Sequence, residues 1–239
     1  MKKKTVILSS YLLISLIIMP LLFRILIEVL RISPNNSNKV ASLMRNENLI
    51  VYLIISVVLL VVMNSEIITD FKTYIHYDGK IPQALFVTFI YILSTVLGIF
   101  LLSFFVVLIP NSGKPEFDLG EIIILLGIES DPIYALTMII IMPFINSVIF
   151  GKIAINLFVK DLKINEGLAI LITSLIFALV SIGLNPKYGL ATLIIAIPYI
   201  FQGFILGYIY AKYEHNIYPA IVAQILTAIF SQILIYNLF

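Results

Sequence analysis

Apolar residues fill seven stretches of this chain, at about 5–30, 49–68, 81–109, 132–158, 167–184, 189–211 and 217–238, with polar linkers between them. Each approaches or exceeds the roughly 20 helical residues needed to span a hydrocarbon core. The pattern predicts an all-α, polytopic membrane helix bundle of about seven transmembrane helices. The second stretch is the weakest, because its strongly apolar part stops at Met63, before Asn64, Ser65 and Glu66. The third is long enough to tilt. A run at Ile122–Ile128 is too short to span and is expected to be interfacial or re-entrant.

One polar pair breaks the fourth stretch. Asn146 and Ser147 interrupt a run that is otherwise apolar apart from Thr137 between Ile133 and Phe150. A polar side chain at membrane depth needs a hydrogen-bond partner, so the pair is expected to face the bundle interior rather than lipid. Neither residue carries a charge. Other polar positions at depth are Asn156, Thr173, Ser174, Ser181, Gln202, Gln224 and Gln232. Helix–helix hydrogen bonding at about 0.6–2 kcal/mol each is the plain account of them. Gly203 and Gly207 form a small-xxx-small spacing that permits close backbone approach. Pro143 and Pro198 are expected to kink their helices and free carbonyls inside the bundle.

Composition confirms the membrane class: 61% of residues are hydrophobic, 12% are charged and mean hydropathy is +1.11. Soluble domains carry about 25% charged residues. No cysteine is present, which removes disulfides and thiolate nucleophiles. A net charge of +2 gives no basis for nucleic-acid binding. The apolar run Val6–Phe23 exceeds the roughly 7–15 residues of a signal-peptide core, so a retained first helix is expected. Placing the amino terminus inside puts Lys2, Lys3, Lys4, Lys72, Lys80, Lys152, Lys160, Lys163 and Lys212 on the inner side. Arg31, Lys39, Arg45, Lys114 and Lys187 then fall outside. The balance favours a multi-pass cell-membrane protein with a cytoplasmic amino terminus and an outer carboxyl terminus.

Catalytic groups are scarce. Arg24 and Glu28, four apart, read as an interfacial anchoring pair. The last four stretches hold no Asp, Glu, His or Arg in their interiors, and Lys152 is expected to snorkel to the inner interface. His76 and His215 both fall in predicted inner loops, and a metal shared between them is the less favoured reading. A Ser147–Lys152 dyad fails on an α-helix, where five residues turn through roughly 500°.

From about Ala135 to Ser231 the chain resembles the CPBP family, the CAAX-protease and bacteriocin-processing intramembrane endopeptidases, also called Abi. Pro143, Asn146-Ser147 and Phe150-Gly151-Lys152 overlay the family's first motif, Thr173 to Ser181 its second. Gln202-Gly203, Gly207 and Tyr210-Ala211, followed by Ile221 to Ala228, overlay the rest. The resemblance implies a CPBP-type four-helix core in residues 132–239, after amino-terminal helices and loops in 1–131, the whole forming one membrane domain. It also implies a site, at positions Asn146, Ser147, Gly151, Phe177, Ser181, Gln224 and Ala228. In the family that site holds two glutamates, an arginine, two histidines and a final asparagine. The glutamates and histidines imply water activation, with a divalent metal as an option, and the asparagine an oxyanion contact.

Here Asn146 and Ser147 replace the glutamates, Gly151 the arginine, Ser181 and Gln224 the histidines, and Ala228 the asparagine. Those substitutions predict a pseudoenzyme with no intact catalytic residue, no metal ligands and no cofactor. The expected function is binding a transmembrane segment or peptide of another protein, as scaffold, regulator or bacteriocin-immunity protein. Residue usage rich in Ile, Leu, Asn and Lys fits a bacterial source. The alternative is an active endopeptidase that borrows Glu66, Asp70, His76 or His215. A small transporter ranks last, since intramembrane charges and an inverted repeat are both missing. Counting about 1.5 Å per residue leaves Asn146, Ser181 and Gln224 at different depths, so they meet only if the fifth helix starts late or tilts strongly.

Overall fold

The computed structural model describes residues 2–30, 37–108, 135–182 and 191–238. Among them all regular structure is helical, which makes the protein an all-α membrane bundle. The helices are α1 (Lys3–Val29), α2 (Ser37–Val62), α3 (Asn64–Ile75), α4 (Lys80–Leu108), α5 (Thr137–Asp161), α6 (Glu166–Ile182), α7 (Ala191–Lys212) and α8 (Tyr218–Leu238). By length and hydropathy α1, α4 and α5 can each cross a membrane, and the count reaches four if the bent α2–α3 pair is one span. Glu166–Ile182 and Tyr218–Phe230 are shorter apolar helices, so seven full spans are not established by length. The run at Ile122–Ile128 and the 131/132 boundary lie outside the described residues.

The weak second stretch is two helices. The chain turns by 84° between α2 and α3, at Met63, where the apolar run gives way to Asn64-Ser65-Glu66. Lys3 donates its ammonium to the Val62 carbonyl at 2.6 Å, placing a cation on the carbonyl end of α2. Glu66 lies in the first turn of α3 and Lys72 in its last, both complementing the helix dipole. The polar triplet therefore starts a new helix in a new direction.

Helix α5 is the centre of the bundle. Every residue from Val148 to Leu157 is buried, and the core joins Leu8 and Tyr11 of α1 to Ile145–Ile155 and to α7 and α8. The helix carries Asn146, Ser147, Lys152 and Asn156, polar groups that must meet protein rather than lipid. Its winding is wide: Thr137–Ile141, Ser147–Ala154 and Leu157–Asp161 are π-helical. Pro143 sits just after the first of these segments, and Pro20 just after the π-segment Ile14–Ile18 of α1. A missing proline N–H is one reason for hydrogen bonds to slip to i→i+5.

The small residues act as the spacing predicts. A Cβ on Gly203 would stand 2.9 Å from Ser174 Cα, and one on Gly207 2.9 Å from Ile170 Cγ2, so both glycines seat α7 on α6. Pro198 meets Gly98 of α4, where a Cβ would lie 2.7 Å from the proline Cα. Ser94 donates to the Phe201 carbonyl (3.1 Å) and Gln202 to Thr95 Oγ1 (3.5 Å), adding polar links between α4 and α7.

Candidate functional site

Helix α8 brings Gln224 against the polar break in α5. Gln224 Nε2 donates to Ser147 Oγ at 3.1 Å, and lies 3.4 Å from both the Pro143 and Ala220 carbonyls. Asn146 Nδ2 donates to Gln224 Oε1 at 3.4 Å. Ser147 and Gln224 are buried, and Asn146 is half-buried. The pair read as facing the interior thus has its partner on another helix, and the carbonyl accepting from Gln224 belongs to the proline itself.

The remaining predicted positions do not all join them. Ser181 is exposed near the end of α6 and donates to its own helix, at the Phe177 carbonyl (2.9 Å). Phe177 packs edge-on against Phe150, with ring centroids 5.1 Å apart. Gly151 lies against the Tyr210 ring, with a hypothetical Cβ 3.6 Å from its Cγ. Tyr210 in turn accepts from Asn156 Nδ2 at 2.7 Å. Ala228 is buried along α8. Of the seven predicted positions, Asn146, Ser147 and Gln224 form a hydrogen-bonded trio. The depth mismatch is resolved for Gln224 and persists for Ser181.

Lys152, expected to snorkel, has a partner within the protein. Its ammonium is buried and pairs with Asp70 Oδ2 of α3 at 2.6 Å, with side-chain exposures of 8% and 13%. The α2–α3 bend supplies this counter-ion, since it carries the Glu66–Asp70 face of α3 toward α5. Asp70 also accepts through its backbone carbonyl from Asn216 Nδ2 (2.9 Å) and through Oδ2 from the Ile217 N–H (3.3 Å). An open groove of about 250 Å³ is lined by Ser65, Glu66, Thr69, Asp70 and Lys152. Sequence reasoning placed Asp70 only among distant acids that an active enzyme would need. The missed signal was Lys152 itself: an ammonium in a buried helix requires a counter-ion.

The π-winding also changes the argument about Ser147 and Lys152. In an i→i+5 turn, residues five apart come roughly onto one face, unlike those of a 3.6-residue α-turn. Their partners nevertheless differ, Gln224 for the serine and Asp70 for the lysine. His76 Nδ1 lies 2.7 Å from the Lys72 carbonyl, and His215 Nε2 is 3.6 Å from Glu166 Oε1. Among the described residues no three His, Cys, Asp or Glu side chains gather as a metal would require. The trio offers amide and hydroxyl groups only. Zinc is held by imidazole, thiolate or carboxylate, so the residues at these positions do not fit that metal.

Residues 128–230 match the family described as Rce1-like, type II CAAX prenyl endopeptidase. The match runs through α5, α6, α7 and most of α8, and so contains the trio. It supports membership of the CPBP/CAAX-protease family, as the motif frame implied. No curated protein and no solved structure matches the chain.

Proposed function

We propose that this intramembrane-protease homologue holds a transmembrane segment or peptide of another membrane protein without cutting it. The observation that carries the reading is the Gln224 amide closed onto Ser147 and Asn146. Hydrolysis of a peptide bond needs a group that removes a proton from water, or a metal that acidifies it. Asn, Ser and Gln do neither at neutral pH, while their donors and acceptors can exchange an internal partner for a peptide group. Scaffold, regulator and bacteriocin-immunity protein are the roles this chemistry serves. The amino terminus lies in the cytoplasm and the carboxyl terminus outside, from the lysine and arginine balance of the loops.

A second reading has one observation in its favour. The Glu66–Asp70 face of α3 brings carboxylates beside Lys152, on the π-segment that carries Ser147. An endopeptidase with noncanonical residues would draw its base from that face. The deciding assay is cleavage of prenylated CAAX peptides and of membrane-segment reporters by the purified chain in nanodiscs. No product is expected, with or without added zinc. Product that disappears in Glu66→Gln supports the second reading instead.

A further inference from the structure

Asp70 of α3 is bonded to both helices that carry the trio. Its carboxylate holds Lys152 of α5 and the Ile217 N–H at the entry to α8. Its carbonyl holds Asn216, whose own Oδ1 accepts from the Tyr218 N–H at 2.9 Å and so caps α8. Phe71 and Tyr74 pack their rings on Tyr218, with centroids 5.2 and 6.0 Å away. A carboxylate at a helix amino terminus gains from the exposed N–H groups and the dipole.

The spacing along the two helices relates this tie to the trio. Lys152 follows Ser147 by five residues within one π-segment, so the two lie on roughly the same side of α5. Ile217 stands immediately before α8, seven residues or about two α-turns along the chain from Gln224. The structure assigns Asp70 and Lys152 the role of positioning residues: their ion pair fixes the register of α5 against α8 and thereby keeps Gln224 on Ser147. Both lie outside the trio, and Asp70 lies outside the segment matched to the protease family. The assignment holds for a site that binds and for one that cuts. A buried ion pair is weak evidence for stability, because replacing both charges with apolar groups is often neutral. Register is therefore the property to test.

The chain has no cysteine, so a single introduced thiol reports its own surroundings. Ala223→Cys places one beside Gln224 in a fully buried position, and Ala178→Cys places a control in the equally buried face of α6. Labelling by a membrane-permeant maleimide is measured on the full chain in native membranes. Asp70→Asn and Lys152→Met, each stranding one buried charge, are expected to speed labelling of the Ala223→Cys reporter by about tenfold or more. The Ala178→Cys control should stay within about twofold, and Lys152→Arg, which keeps the pair, should label the Ala223→Cys reporter as slowly as native. The assignment is overturned if neither neutral variant speeds the Ala223→Cys reporter. It is equally overturned if both reporters speed up together, or if Lys152→Arg behaves like Lys152→Met.

Discussion

Gln224 and Ser147 stand 3.1 Å apart, amide nitrogen to hydroxyl oxygen, although 77 residues separate them in the chain. The contact joins α5 to α8, two helices within the segment matched to the CAAX-endopeptidase family. Both partners are neutral side chains that do not titrate.

Removing the amide should cost stability. Gln224→Ala leaves the Ser147 hydroxyl and the Asn146 amide without their partner, a loss of about 0.6–2 kcal/mol for an interhelical hydrogen bond in a membrane bundle. Denaturant titration of the detergent-solubilised chain measures it. Gln224→Met, similar in size, should lose a comparable amount if hydrogen bonding rather than packing is what matters.

The glycines predict a ranking. Gly98→Ala brings a methyl to 2.7 Å from the Pro198 Cα, and Gly203→Ala to 2.9 Å from the Ser174 Cα, both backbone atoms that cannot swing away. Gly207→Ala meets side-chain atoms only, Ile170 Cγ2 at 2.9 Å and Ile155 Cδ1 at 3.2 Å, which can yield more than backbone can. The first two should lose about 1–3 kcal/mol, as overpacked cores do, and the third less. The same titration orders them.

Restoring the family residues should not restore the family site. Asn146→Glu, Ser147→Glu, Gly151→Arg, Ser181→His, Gln224→His and Ala228→Asn together put one histidine at position 181, on an exposed part of α6. They also drive an arginine toward the Tyr210 ring. Zinc content of the purified sixfold variant, by mass spectrometry, is expected to stay well below one ion per chain. One bound zinc per chain would show that α6 turns position 181 into the bundle.

Client capture at the trio should be insensitive to pH. None of Asn146, Ser147 and Gln224 titrates, whereas a histidine-based site changes charge between about pH 5 and 8. Crosslinking yield from position 146 should therefore stay level across that range. A sigmoidal change would implicate an ionising group in recognition.

The helices and the interior face of α5 were legible because hydropathy and isolated polar residues report burial directly. The break at Met63 was visible as a weakness of the second stretch, since three polar residues ended its apolar run. Its consequence was not visible. The pairing of Lys152 with Asp70 spans 82 residues and depends on an 84° turn that no local pattern encodes. The place of Ser181 was misjudged for a related reason. Motif order puts it beside the trio, but it lies near the end of α6, exposed and bonded to its own helix at the Phe177 carbonyl. Likewise the 3.6-residue turn assumed for Ser147 and Lys152 gave way to π-winding.

The central claim is that the trio holds a membrane segment and leaves it whole. A photo-reactive amino acid at position 146, crosslinked in living cells and followed by mass spectrometry of the captured chain, tests this most directly. A client recovered at full length, and lost when Gln224 is changed to Ala, is the predicted result. A client recovered as one defined shorter product, absent from cells lacking this protein, would contradict the claim and show that proteolysis survives these substitutions.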